Sequence, residues 1–372
     1  MSFLGATLPG WRYHLEASFS NAGNYFLVMA AGFVLSIFAV HAFLGARGSR
    51  FLLWLASAIS CVGFIGLAGA SWLELPMARL PGLFCAGSSA GLWSMVMFQS
   101  ITPAYRRNAA TRTNQAAMLF GAGCLLTALL TAGMYSAFPV AAVLAALAIP
   151  PGLAAVWFAR SKAADPRLRA SWAWRDFQNP GVMLFGLLLF FQFGNEWSIA
   201  GWLPLFLIRR LGMSPRAALL MLALYWTVLL AGRLGSQWVI PRASRTALLA
   251  GSILSALLGT VVLASTNNAF GAAMGVVFAG IGFAPVFPLL ARKVGHRFPE
   301  YRASVFSGLF SLGMLGGLLA PWTAGFFASE WGIEAVMFLP MLGVCAVLVL
   351  TLLILLEAKL SGVPAGAPEP RK

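Results

Sequence analysis

The sequence predicts an all-α membrane protein built as two similar six-helix bundles, and three observations carry that prediction. Of 372 residues, 60% are hydrophobic and only 9% are charged, against about 25% charged in an ordinary soluble domain. Apolar stretches of roughly 20 residues, the length that crosses a bilayer core, recur along almost the whole chain. The basic residues gather in alternate connectors, and the two halves of the chain resemble each other. So apolar a composition excludes a soluble enzyme, a nucleic-acid-binding module and a disordered chain. The formal net charge of +15 comes from Lys and Arg in short loops between spans, so no nucleic-acid partner is expected.

Along the chain, an apolar stub at 1–10 is followed by a hydrophilic stretch at 11–22. Spans are predicted at 25–44 and 51–70, parted by Arg47 and Arg50, then at 81–101 and 114–135, parted by Arg106, Arg107 and Arg112. A fifth span, 139–159, leads into the longest connector, 160–178, with Arg160, Lys162, Arg167, Arg169 and Arg175. Beyond it lie spans at 181–208, 216–236, 246–265, 271–291, 303–327 and 332–356. That makes eleven complete spans and one stub. Cys61, Cys85, Cys124 and Cys345 all fall inside spans without a C-x-x-C spacing, so neither a disulfide framework nor a metal site is expected. Met1–Leu8 is too short for the apolar region of a cleavable signal peptide.

Alternating the connectors across the membrane puts 20 basic residues on one side and 5 on the other. The richer side includes Arg233 with Arg242 and Arg245, and the poorer side includes Arg79. By the positive-inside bias, the linker and the C-terminal tail are expected to be cytoplasmic; the expected location is the cell (inner) membrane.

The repeat is visible at an offset of 195 residues, where Arg47-Gly48-Ser49-Arg50 falls on Arg242-Ala243-Ser244-Arg245 and Ser57 on Ser252. At 190 residues, Arg112 falls on Arg302, Leu119-Phe120 on Leu309-Phe310 and Gly123 on Gly313. The expected bundles are 1–159 and 179–358, in parallel orientation, with a tail at 359–372. The first offset also places Leu8-Pro9 on Leu203-Pro204. The stub is thus expected to be the outer end of a first helix whose cytoplasmic half is absent, completing a plan of twelve.

Two six-helix halves, a basic central loop and Arg-rich turns after the second helix of each half resemble the major facilitator superfamily. Gly194-Asn195-Glu196-Trp197 through Gly201-Trp202-Leu203-Pro204, with Tyr225-Trp226 and Ala231-Gly232-Arg233-Leu234-Gly235, is similar to the fucose-permease-like sugar porters. Phe287-Pro288 and Gly316-Gly317-Leu318-Leu319-Ala320-Pro321 fit the same group. The resemblance implies a monomeric secondary transporter of a sugar or sugar-like compound with proton coupling. One departure is that the family's loop Asp-Arg is replaced by Gly45-Ala46 and by Ile240-Pro241. Gly121-Ala122-Gly123 also lacks the Gly-Pro of efflux-type members, which favours uptake.

Nine of the ten acidic residues sit at loops or edges, and the tenth is Glu196. It lies 15 residues into its span, about 22 Å along the helix, and a carboxylate at that depth marks a functional site by default. Glu196 is the proton-coupling candidate; Gln192, one turn before it, and Asn195 beside it join it as substrate-binding candidates. Trp202, Tyr225, Trp226 and Trp93 are further candidates, with Trp197 and Gln99 weaker ones. Trp197 and Trp202 are equally at home in an interfacial aromatic belt. Arg47, Arg50, Arg242 and Arg245 are expected to contact lipid phosphates or helix ends on the cytoplasmic side. His41 reads as an interface residue. No ATP-binding loop is present and no cofactor is expected; the partners are a small solute, protons and lipids. From residue chemistry alone, two alternatives stay open: an exporter or flippase of amphipathic cargo, and a transport-inactive sensor or scaffold.

Overall fold

In the computed structural model, the described residues are 2–11, 18–161, 178–240, 242, 244–297 and 303–360, and their regular structure is helical throughout. In chain order these are α1 (Ser2–Thr7, continued by a 3-10 turn to Gly10), α2 (Phe19–Trp72), α3 (Arg79–Met134), α4 (Val140–Arg160), α5 (Pro180–Leu211), α6 (Pro215–Val239), α7 (Arg245–Ser265), α8 (Ala269–Phe283), α9 (Val286–Arg297), α10 (Ala303–Trp331) and α11 (Ala335–Leu360). Ten stretches of the described residues are long and apolar enough to cross a bilayer, one of them the 54-residue α2.

Helix α2 holds two of the predicted spans. A straight helix of its length would reach about 81 Å, far beyond a bilayer core of about 30 Å. It reverses at Gly48, whose φ of 81° and ψ of 171° lie in a region open to glycine and little else. The reversal brings both limbs onto the same stretch of α3. Gly32 abuts the backbone of Phe84 and Ser88, and Gly63 abuts Gly82. Likewise α3 carries two predicted spans, described as Arg79–Met97 and Asn114–Met134.

In the second half the helix starts follow the local chemistry. The Asn179 side chain accepts from the Gly181 N–H ahead of Pro180, and Ser214 accepts from Ala217 N–H ahead of Pro215. Asn268 caps α8 by accepting from Gly271 N–H at 2.8 Å. The predicted span 271–291 is split into α8 and α9 because Pro285 and Pro288 supply no N–H to the carbonyls one turn earlier.

The stub is a buried element of the packing. All six residues of α1 are buried, Gly5 abuts the backbone of Ala200 and Gly201 in α5, and Ser2 Oγ donates to Cys124 O at 2.9 Å. The following turn is tied down by Tyr135 OH, which donates to Pro9 O, and by Trp11 Nε1, which donates to Ser71 Oγ. Helices before residue 161 meet helices after residue 178 toward both ends of the molecule. Away from the linker, Ser20 N–H donates to Ser329 Oγ at 2.6 Å, Trp322 Nε1 to Asn24 Oδ1 at 3.3 Å, and Gly23 lies against Gly325. Toward the linker, Ser311 Oγ meets Met95 Sδ at 2.9 Å and Gln237 Nε2 meets Met118 Sδ at 3.5 Å.

Candidate functional site

The strongest polar constellation forms where α3, α5 and α6 meet. Gln192 and Glu196 stand one turn apart on α5, and Gln192 Nε2 donates to Glu196 Oε1 at 3.1 Å. The other carboxylate oxygen, Oε2, accepts from Arg233 Nη2 of α6 at 3.0 Å. Glu196 is 0% and Arg233 1% exposed. A buried charge is tolerated only when paired and hydrogen-bonded, and this pair meets both conditions. Arg233 then reaches across to the other half, donating from Nη1 to Ala117 O at 3.0 Å. Asn114 Nδ2 returns a bond to Arg233 O at 3.1 Å. Tyr225 OH donates to the backbone carbonyl of Glu196 at 3.2 Å, so it fixes α6 against α5 without touching the carboxylate.

Arg233 is therefore not one of the linker-side loop cations. It sits inside α6, six residues before its end. A long side chain near a span terminus ordinarily snorkels outward; here the acceptors on α5 and α3 draw it inward. Arg79, expected in an outer loop, is also buried, with its guanidinium 4.7 Å from the centre of the Trp11 ring and Nη1 3.4 Å from Tyr25 OH. No acid signature announced either residue. For Arg233 the available signal was the span itself, predicted to run to residue 236, past the arginine.

Aromatic side chains wall the pair. Phe120 of α3 stacks on Trp197 with ring centres 5.6 Å apart and meets Trp226 edge-on at 6.1 Å. Phe193 and Phe287 continue the wall. Among the described residues, four buried polar atoms here have no hydrogen-bond partner: Trp197 Nε1, Trp226 Nε1, Arg233 Nε and Asn114 Oδ1.

Other candidates lie elsewhere. Asn195 points to a different face of α5, packing against Gly343 of α11. With Ser198 and Thr323 it lines a cleft of about 220 Å³ between α5, α10 and α11, otherwise walled by residues such as Phe190, Phe191 and Leu342. Asn195 and Glu196 are neighbours in sequence, but about 100° of helical rotation separates them. Trp202 is fully buried between Phe19 and Phe26 of α2 and donates Nε1–H to Pro321 O at 2.8 Å. It belongs to the contact away from the linker, not to the Glu196 cluster. Trp93 meets Phe158 of α4 edge-on at 5.6 Å, also apart from that cluster.

At the linker end, the Arg47 guanidinium lies 5.4 Å from the Phe51 ring centre, Arg50 donates to Ser161 O, and Arg242 donates to Trp238 O at 2.8 Å. Arg245 begins α7 and Gln99 lies within α3, but the side chains of both fall outside the described residues. His41 Nδ1 lies 2.8 Å from Ile37 O, in keeping with an interface residue.

Comparison with known proteins sets this geometry in a family. The family model of the Major Facilitator Superfamily matches residues 1–321. An uncharacterised MFS-type transporter of Yersinia pestis is 28% identical over 147 residues, which is 40% of this chain and 38% of that protein. Three solved structures share the fold. The E. coli fucose:proton symporter FucP superposes with a TM-score of 0.60 at 15% identity, over 95% of this chain and 96% of that one. The nucleoside transporter NupG gives 0.68 at 12% identity, over 96% and 97%. The human organic anion transporter MFSD10 gives 0.63 at 15% identity, over 94% and 84%. A multi-pass helical chain that matches this family over most of its length belongs to the Major Facilitator Superfamily.

Proposed function

We propose that the protein is a proton-coupled secondary transporter of a small polar, sugar-like solute, with Glu196 as the proton acceptor. The observation that carries the proposal is the buried Glu196–Arg233 pair, held between helices of both halves. Well-packed apolar residues would fill the place of such a pair at no loss of stability, so its presence points to a task. The bundles 1–159 and 179–358, joined by the linker 160–178, would rock about this site in alternating access. Gln192 would hold the carboxylate between proton transfers, while Trp197, Trp226 and Phe120 would offer faces to the carbon skeleton of the solute. The proteins that share the fold include a fucose:proton symporter and a nucleoside transporter, which supports this reading.

The linker and tail would face the cytoplasm, as the distribution of basic residues implies. Arg47, Arg50, Arg242 and Arg245 would contact lipid phosphates there, and the working unit would be the monomer usual in this family.

The test is solute accumulation in proteoliposomes under an imposed pH gradient. Glu196→Gln, which preserves the side-chain shape, is expected to abolish gradient-driven accumulation while the protein still folds and inserts. Unchanged accumulation in that variant would end the coupling role.

A second reading draws on the cleft lined by Asn195, Ser198 and Thr323. Polar groups set among apolar walls on α5, α10 and α11 suit an amphipathic cargo dissolved in the bilayer. Transport of a lipid-like or drug-like compound, insensitive to Glu196→Gln, would favour that reading.

A further inference from the structure

We infer that the solute handled at this site is an organic anion, whose carboxylate takes the place of Glu196 on Arg233 when Glu196 binds its proton. The inference rests on the proton-coupled reading and adds the charge of the cargo to it.

An arginine side chain keeps its charge at any physiological pH. The buried Arg233 has Glu196 as its carboxylate partner, and the pair is neutral as a unit. Its remaining bonded N–H faces the neutral carbonyl of Ala117. Among the described residues, Tyr225 of α6 and Cys124 of α3 are the other titratable groups that act on the pair, and neither carries charge at neutral pH. Once a proton from one side of the membrane sits on Glu196, the guanidinium becomes a lone buried cation. A neutral sugar entering at that moment leaves the site with one uncompensated positive charge inside the bilayer, which is the most costly arrangement available. A carboxylate restores neutrality and offers the bidentate acceptor a guanidinium favours. On the other side the proton leaves Glu196, the ion pair re-forms, and the solute is displaced. One proton and one monoanion then cross together with no net charge.

A second observation agrees. Of the four unpartnered polar atoms around the pair, three are N–H donors, on Arg233, Trp197 and Trp226, and one is an acceptor, on Asn114. A site so rich in donors suits an acceptor-rich ligand. The stacked Phe120 and Trp197 rings supply an apolar plate for its carbon skeleton. The chemistry described is that of a small hydroxylated carboxylic acid.

Two measurements test this. In the first, binding of gluconate, formate, chloride and galactose to purified protein is followed by thermal unfolding at neutral pH. Glu196→Gln leaves Arg233 without its anion, so gluconate is expected to bind the variant about tenfold more tightly than the wild type. Formate should behave likewise, chloride and galactose should not, and adding Arg233→Gln should remove the gain. Galactose stabilising the variant as well as gluconate does, or no gain with either carboxylate, would overturn the inference.

The second measurement needs no variant. Wild-type proteoliposomes under an inward proton gradient are given gluconate or galactose, with the membrane potential clamped by potassium and valinomycin. Accumulation of gluconate at a rate indifferent to the potential supports the inference. Accumulation of galactose that grows with an inside-negative potential overturns the anion while leaving proton coupling intact. Uptake of either solute that ignores the proton gradient overturns the coupling reading, and the inference with it.

Discussion

A guanidinium buried within a helix bundle is stable only while its anion stays beside it. Removing one member of a buried ion pair costs about 3–5 kcal/mol, whereas replacing both with well-packed apolar groups is close to neutral. Arg233→Met alone should therefore lower the unfolding temperature of the purified protein sharply, and Glu196→Met with Arg233→Met should recover most of the loss. Equal losses in the single and double variants would show that the two side chains do not act as a pair.

At this scale the sequence was legible in part. Glu196 stood out because a carboxylate inside an apolar span needs a reason, and Gln192 followed from four-residue helical spacing. Arg233 did not stand out, because an arginine near a span terminus ordinarily reaches the interface. Its partners, Ala117 and Glu196, lie 116 and 37 residues away. That Asn195 and Trp202 stand apart from Glu196 was not legible for a related reason. Adjacency along the chain says little about which helix face a residue occupies, or which neighbour covers it.

Among the elements, the breaks are better marked than the lengths. Pro285 and Pro288 divide α8 from α9 by removing two backbone donors within one turn, a division that apolar composition alone conceals. Gly48 turns α2 back on itself with a backbone that side-chain-bearing residues adopt only at a cost of about 1–3 kcal/mol. Gly48→Val is expected to lower stability by that amount, and Gly235→Ala, which meets nothing in its surroundings, should change it little. The pair of variants, compared by thermal unfolding, separates backbone strain from loss of glycine as such. The loop arginines at 47 and 50 predicted this reversal correctly, since charge collects where a chain leaves the membrane.

For the molecule as a whole, the eleven expected complete spans are present as the ten apolar stretches with α2 counted twice. That arithmetic was accessible because hydropathy and charge report on the bilayer, which acts on every helix alike. Which helices touch across the two halves was not accessible, since pairing depends on shape. The seam away from the linker is the clearest case, with Ser20 against Ser329, Asn24 against Trp322 and Gly23 against Gly325. Cysteines at Ser20 and Ser329, in a chain whose exposed Cys345 is replaced by Ser, should cross-link under mild oxidation. Transport should stop on cross-linking and return on reduction. Full transport by the cross-linked protein would show that this seam does not open during the cycle.

That seam carries a mechanical consequence. Where Gly23 meets Gly325, backbone rests on backbone, with the Trp202 ring packed against Gly325. In the proposed alternating access, so close a contact would open by α2 and α10 parting as bodies. A bulky residue at either glycine is therefore expected to act as a wedge that favours the parted state.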